Sequence, residues 1–104
     1  MKIGRYPLHR RASWAFYQLN EEEQRQVKEA LATLDKFPPD PAENRVRRWP
    51  TDPNLYVVCA EGGWRIFVRA DEGEEPEVVD IAHQGTLDFF AQAAAKSRNG
   101  MRSE

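Results

Sequence analysis

An alternating run of apolar and charged residues between Gly63 and Ala70 predicts a strand with one buried and one open face. The residues expected on the buried face are Trp64, Ile66 and Val68. The open face would then carry Phe67 between Arg65 and Arg69. Guanidinium groups bind phosphates and carboxylates through paired hydrogen bonds. Two arginines beside an aromatic ring therefore indicate either an anionic ligand or a solvated face paired with nearby carboxylates.

Further residues that could take part in chemistry lie before this strand and at the end of the predicted sheet. Arg45, Arg47 and Arg48 accompany the first strand, and the neighbours Arg47 and Arg48 should project to opposite faces. Only one of those two could then share a surface with Arg65. His83 closes the last strand, where an imidazole can accept and donate protons near neutral pH.

Each of these residues also has a purely structural interpretation. Arg65 could pair with Asp80 across the sheet, and Arg69 could pair with Asp71 or Glu77. The closing histidine could pack at a strand end without taking part in chemistry. The sequence leaves both interpretations open.

Two amphipathic helices precede the sheet and would support it. Apolar residues recur at helical spacing over Leu8–Leu19 and again over Glu21–Leu34. Pro7 suits the first turn of the first helix. Asn20 and Glu23 have the spacing of a capping box at the start of the second helix. Because almost no linker separates the helices, we expect an antiparallel helical hairpin.

The sheet should follow a proline-rich break between Phe37 and Asn44. Its predicted strands are Val46–Trp49, Leu55–Ala60, Trp64–Ala70 and Glu77–His83. In the last strand, alternation places Val79 and Ile81 on one face and Val78 and Asp80 on the other.

A last helix should follow the sheet, with Thr86 as its cap. Its apolar stripe would be Leu87, Phe90, Ala91 and Ala94. The predicted fold class is α+β, with an N-terminal helical hairpin packed on a twisted antiparallel sheet of three to four strands and a short C-terminal helix.

Composition limits the class of protein. A chain of 104 residues suits one domain, which we place at residues 1–96, with residues 97–104 as a flexible tail. A single cysteine, Cys59, excludes an intramolecular disulfide and favours the cytoplasm. No apolar run is long enough to span a membrane, and no residues have metal-ligand spacing, so we expect no membrane partner, metal or cofactor. The net charge of −2 argues mildly against general nucleic-acid binding.

Four ordered segments together carry a family likeness. They are Leu34–Pro38 at the helix end, Asn44–Arg47 followed by Trp49-Pro50, the strand Gly63–Val68, and the closing strand Val79–His83. Over roughly residues 1 to 92, this set resembles the RelE/ParE toxin superfamily of bacterial type II toxin–antitoxin modules. The resemblance implies a helical hairpin packed on a twisted antiparallel sheet.

The RelE-like branch implies a function. Its toxins cut messenger RNA in the ribosomal A site without a metal, with the RNA 2′-hydroxyl as the attacking group. The protein then has to orient the phosphate, stabilise its charge and move protons. By this resemblance the catalytic residues are Arg65, which matches the strand arginine at the scissile phosphate, and His83. The residues expected to bind substrate are Arg45, Arg47, Arg48, Arg69 and Gln84.

Several positions depart from the RelE pattern and keep alternatives open. Val57 and Cys59 stand where RelE enzymes have lysines, Gln84 replaces the closing arginine, and Phe90 replaces a catalytic tyrosine. One alternative is a ParE-like inhibitor that binds DNA gyrase, and another is a catalytically inactive relative that only binds an antitoxin. The partners implied are a cognate antitoxin, with the ribosome and mRNA for a RelE-like toxin or DNA gyrase for a ParE-like one.

Overall fold

Residues 2–34, 45–88 and 91–93 are described by a computed structural model of the chain. Its elements in order are β1 (Lys2–Ile3), β2 (Tyr6–Pro7), α1 (Arg10–Tyr17), α2 (Glu21–Ala32), β3 (Val46–Trp49), β4 (Asp52–Cys59), β5 (Trp64–Arg69) and β6 (Glu77–His83). Strands β1 and β2 pair with each other, and β3–β4–β5–β6 form a four-stranded antiparallel sheet in that order. The predicted α+β class is confirmed.

The start of α2 follows the predicted capping chemistry. The Asn20 side-chain oxygen accepts the Glu23 backbone N–H at 2.8 Å, and the Glu23 carboxylate accepts the Asn20 backbone N–H at 2.9 Å. Two of the backbone donors at the helix start are thereby satisfied. The capping box is confirmed.

Helix α1 begins later than predicted. The predicted start at Leu8, with Pro7 in the first turn, is wrong, because Pro7 pairs with Lys2 in the first small sheet. Leu8 then forms a parallel bridge with Val78, and the His9 backbone N–H donates to the Val78 carbonyl at 2.8 Å. These contacts keep the chain extended along β6 until His9, which caps the helix.

One face of the sheet packs against both helices. The core residues of α1 and α2 are Ala12, Phe16, Val27, Ala30 and Leu31. They meet the sheet residues Val58, Ile66, Val68, Val78 and Ile81. Burial of Ile66 and Val68, with Trp64 packed against the same core, confirms the predicted inner face of β5. The residues that alternate with these in β5, Arg65 and Phe67, are partly buried and lie on the opposite face of the sheet.

A β-bulge changes the faces of the last strand. Phe67 pairs with Asp80 but Val68 pairs with Val78, so Val79 is an extra residue without a partner in the register. Val78 and Ile81 are consequently both buried. The predicted grouping of Val79 with Ile81 and of Val78 with Asp80 is wrong, because strict alternation fails at a bulge.

The C-terminal end is helical at residues 84–88 and 91–93. Thr86 therefore lies inside the helix, and its predicted role as the cap is wrong. Phe90, Ala94, the tail 97–104 and the proline-rich break Phe37–Asn44 lie outside the described residues. No helix within the described ranges is long and apolar enough to cross a membrane.

Candidate nucleic-acid interface

The register of the sheet places the central residues of the candidate site on its open face. Cross-strand partners project to the same side of a sheet. Arg65 lies between Cys59 and Ala82, and the neighbouring row places Phe67 opposite Val57. Arg65 and Phe67 therefore lie on the face that the helices α1 and α2 leave uncovered, as alternation in β5 predicts.

The two neighbouring arginines of β3 separate onto opposite faces. Arg47 pairs with Val57 and so shares the open face with Phe67 and Arg65. Arg48 pairs with Tyr56. Its Nη2 donates to the Tyr56 hydroxyl at 3.0 Å, and its guanidinium lies 5.4 Å from the ring centroid. Arg47 is therefore the arginine of this pair that accompanies Arg65.

A groove of about 560 Å³ runs over this open face. Its volume is within the range typical of ligand sites, roughly 300–1,000 Å³. The residues of the sheet and of its β3–β4 turn that line the groove are Arg47, Arg48, Trp49, Pro50, Val57, Cys59, Arg65 and Phe67. The C-terminal helical residues lining it are Gln84, Leu87, Asp88 and Ala91. We call this site the open-face groove.

Aromatic rings and two arginines dominate the chemistry of the open-face groove. The Trp49 and Phe67 rings meet edge to face, with centroids 5.9 Å apart. Arg65 Nη1 donates to the Trp64 carbonyl at 3.1 Å, which steadies its guanidinium. Among the described residues, neither Arg47 nor Arg65 has a carboxylate within ion-pair distance. Both arginines can therefore bind an external anion.

The structural pairing of Arg65 with Asp80 does not form among these residues. Asp80 lies opposite Phe67, and its Oδ1 accepts the backbone N–H of Ile81 at 2.9 Å. A different carboxylate, Asp88, lines the open-face groove and accepts a hydrogen bond from Gln84 Nε2 at 2.7 Å. Gln84 thus lines the groove as well, where it orients an acidic side chain.

The Arg69 guanidinium forms ion pairs with carboxylates, although Arg69 lies on the same strand and the same face as Arg65. Its Nη2 lies 2.8 Å from Asp52 Oδ2, and its Nη1 lies 3.7 Å from Asp71 Oδ1. The Asn54 backbone N–H and then the Arg69 guanidinium hold the pKa of Asp52 below its usual value. Hydrogen bonding to Asp52 raises the pKa of Arg69 in return. The predicted contact with Asp71 is present, while the shorter contact with Asp52 was not foreseen.

His83 lies on the other side of the sheet from Arg65. It pairs with Trp64, whose ring it meets edge to face with centroids 5.0 Å apart. The Gly85 backbone N–H donates to Nδ1 at 3.0 Å, so Nε2 carries the hydrogen and donates to the Gly62 carbonyl at 3.0 Å. Both ring nitrogens are thus engaged, and the geometry does not bring Arg65 and His83 together.

Arg45 lies at the entrance to β3. Its Nη1 donates to the Thr33 hydroxyl at 2.8 Å, at the C-terminal end of α2. Of the seven predicted site residues, the open-face groove includes four, Arg47, Arg48, Arg65 and Gln84. The Arg48 guanidinium is held by the neutral Tyr56 hydroxyl, whereas no side chain among the described residues holds Arg47 or Arg65.

Sequence reasoning did not place Trp49 and Asp88 in this site, although it did place Phe67 on the open face. Trp49 is 41% exposed and lines the groove. Its position two residues after Arg47 would have placed both on one face, since alternate residues of a strand share a face. Asp88 had no such signal, because its place depends on how the C-terminal helical residues lie over the sheet.

Comparisons of the chain with protein-family models, with curated proteins and with solved structures each found no match.

Proposed function

We propose that the protein is the toxin of a bacterial type II toxin–antitoxin module, of the RelE-like branch, and that its open-face groove binds messenger RNA on the ribosome. One observation carries the proposal. Arg47 and Arg65 lie on one face of the sheet beside Trp49 and Phe67, without carboxylate partners among the described residues.

This combination suits single-stranded RNA. Proteins that bind unpaired RNA stack aromatic rings on its bases and hold its phosphates with basic side chains. Arg47 and Arg65 are separated by one strand and by two residues along it. Strand spacing and rise then place their Cα atoms about 12 Å apart. Their long side chains can contact different phosphates of one strand, and the neighbouring rings of Phe67 and Trp49 can stack on a base beside them.

The chemistry of cleavage follows from the same residues. The RNA 2′-hydroxyl attacks the adjacent phosphate, so the protein supplies no nucleophile. The attack forms a 2′,3′-cyclic phosphate and breaks the bond from phosphorus to the 5′-oxygen of the next nucleotide, which leaves with a proton from solvent water. Arg65 stabilises the charge that grows on the phosphate oxygens, because its guanidinium remains charged and donates two hydrogen bonds. Asp88 is the carboxylate that lines the groove, and in this proposal it accepts the 2′-hydroxyl proton. His83 holds the end of β6 in position instead.

The RelE-like arrangement belongs to the same proposal. Helices α1 and α2 would act as the family's hairpin on the inner face, and the helical residues after β6 would border the site. We also propose the cytoplasm as the compartment and a cognate antitoxin as the partner that blocks the open-face groove.

A binding-only function is the second candidate. Three groups favour it: Val57 and Cys59 replace basic residues in the floor of the groove, and His83 has both ring nitrogens engaged elsewhere. In that case the protein would be a ParE-like inhibitor of DNA gyrase, or an inactive relative whose single partner is an antitoxin. Neither alternative requires proton transfer in the groove.

Cleavage of ribosome-bound mRNA by the purified protein tests the first candidate. We expect the wild-type protein to cut in the A site and Arg65→Ala to lose about a hundredfold or more in rate, equivalent to about 2–4 kcal/mol of transition-state stabilisation. Arg69→Ala is the matched control, because Arg69 shares the strand and face but is bound to Asp52. Its cleavage rate per folded molecule should stay within a few-fold of wild type.

The outcomes separate the candidates. Equal cleavage by folded Arg65→Ala and by wild type would contradict the role of Arg65. Wild-type protein that binds programmed ribosomes without cutting would favour the binding-only function. Loss of supercoiling by gyrase in the presence of the protein would then identify the ParE-like alternative.

A further inference from the structure

Helix α1 exposes two large aromatic side chains on its outer face. Trp14 is 68% exposed and Tyr17 is 66% exposed, whereas Phe16 and Ala12 on the inner side are buried. Arg10, Trp14 and Tyr17 recur at i, i+4 and i+7, which places them along one stripe of the helix. Because the inner residues already form the core contact, Trp14 and Tyr17 are not needed to hold α1 on the sheet.

The charges at the start of α1 oppose the helix dipole. The N-terminal end of a helix carries a partial positive charge, so acidic side chains stabilise it and basic ones destabilise it. Arg10 and Arg11 occupy the first two positions of α1, and its first turn has no acidic residue. Helix α2 of the same chain has the favourable arrangement, with three acidic residues, Glu21–Glu23, in its first turn.

Neither arginine is compensated elsewhere in the part of the chain that the structure describes. The ion pairs there involve Lys2, Arg25 and Arg69, and none includes Arg10 or Arg11. Two unpaired cations and two exposed aromatic rings therefore share one helix face. Trp, Tyr and Arg are also the residue types that most often dominate protein–protein interfaces.

We propose that the outer face of α1, formed by Arg10, Arg11, Trp14 and Tyr17, docks an acidic polypeptide segment with apolar anchors. The partner's carboxylates neutralise Arg10 and Arg11. Their binding thereby offsets the unfavourable interaction of these two cations with the helix dipole. Its apolar side chains cover Trp14 and Tyr17. Helical rise separates Arg10 from Tyr17 by about 10 Å, so the acidic and apolar groups of the segment lie within two or three helical turns of one another.

Charge favours a polypeptide over RNA at this face. The acidic block Glu21–Glu23 begins four residues after Tyr17, beyond the C-terminal end of α1, and would repel a phosphate backbone running along the helix. A polypeptide can instead place acidic residues over Arg10 and Arg11 alone. The surface lies on the helix side of the sheet, away from the open-face groove, so the inference goes beyond the proposed function and does not depend on it.

The test uses the full chain and a synthetic helical peptide with glutamates at one end and leucines at i, i+4 spacing. The matched control peptide has lysine in place of every glutamate. We expect the acidic peptide to shift the Trp14 indole N–H signal in NMR spectra with a Kd of roughly 10–500 μM. Trp14→Ala should weaken binding at least about tenfold, as measured by calorimetry.

A double variant separates binding from folding. Arg10→Glu with Arg11→Glu should weaken peptide binding at least about tenfold, through like-charge repulsion. The same change should raise the Tm by a few degrees, because glutamate suits the start of a helix. Arg25→Gln is the control on α2, where Arg25 is already paired with Glu22 and Glu29. It should leave the peptide affinity unchanged.

Three results would overturn the proposal. The Trp14 signal could stay unmoved by the acidic peptide at about 1 mM, or the lysine peptide could shift it equally. A single-stranded RNA oligonucleotide could shift it at lower concentration than the acidic peptide does, which would assign the face to nucleic acid instead.

Discussion

Arg47 and Arg48 offer a matched pair of perturbations, because the two neighbours lie on opposite faces of β3. Each phosphate contact with single-stranded nucleic acid contributes about −0.7 to the slope of log K against log salt concentration. Two contacts, from Arg47 and Arg65, predict a slope near −1.4, so Kd should rise about sevenfold between 50 and 200 mM salt. Arg47→Ala leaves one contact, and the same change in salt should then raise Kd only about 2.6-fold.

Arg48→Ala should act on folding instead. The substitution removes the hydrogen bond and the cation–π contact with Tyr56, which together contribute about 1–2 kcal/mol to the free energy of unfolding. Its salt dependence should stay closer to that of the wild type than the salt dependence of Arg47→Ala does, because the Tyr56 hydroxyl already holds the Arg48 guanidinium. The assay is fluorescence anisotropy of a labelled single-stranded RNA across the salt series, with thermal unfolding of each variant. Equal slopes for Arg47→Ala and wild type would refute the assignment of Arg47 to phosphate.

Three further changes test the surroundings of the site. The lowered pKa of Asp52 contributes stability that is complete above the ordinary pKa of an aspartate and is lost as the pH falls through the lowered pKa. Asp52→Asn should therefore flatten the decline in the free energy of unfolding below about pH 4. Gly63→Ala should cost at least about 1–2 kcal/mol in chemical denaturation, because φ is +86° and a Cβ would lie 2.8 Å from His83 Nε2. His83→Ala should lower the Tm yet leave the RNA affinity within twofold of wild type, roughly the error of a titration. A large loss of affinity would show instead that His83 takes part in RNA binding.

Local signals in the sequence predicted much of the framework. Asn20 and Glu23 form the predicted capping box because its chemistry depends on residues three apart. Alternation in β5 correctly separated Ile66 from Arg65 and Phe67, since successive side chains of a strand point to opposite faces. The same rule correctly placed Arg47 in the open-face row of Val57 and Phe67, although the Arg48 side chain also lines the groove.

Features set by neighbouring strands could not be predicted in this way. The bulge at Val79 depends on how β5 and β6 pair, and the sequence of β6 contains no signal that predicts it. His83 is opposite Trp64 through the same register, which places it on the far side of the sheet from Arg65. The ion pair of Arg69 with Asp52 joins residues on different strands. Sequence spacing alone carries no information on such contacts.

Photo-crosslinking of single-stranded RNA to the protein, followed by mapping of the linked peptides, tests the central claim most directly. We predict crosslinks at Trp49, Cys59 and Phe67 in the open-face groove, because stacked bases and nearby side chains react when irradiated. Crosslinking at these residues should fall when Arg47 and Arg65 are both replaced by alanine. Crosslinks confined to the helix side of the sheet, or crosslinks in the groove that persist in the double variant, would contradict the assignment of RNA binding to this face.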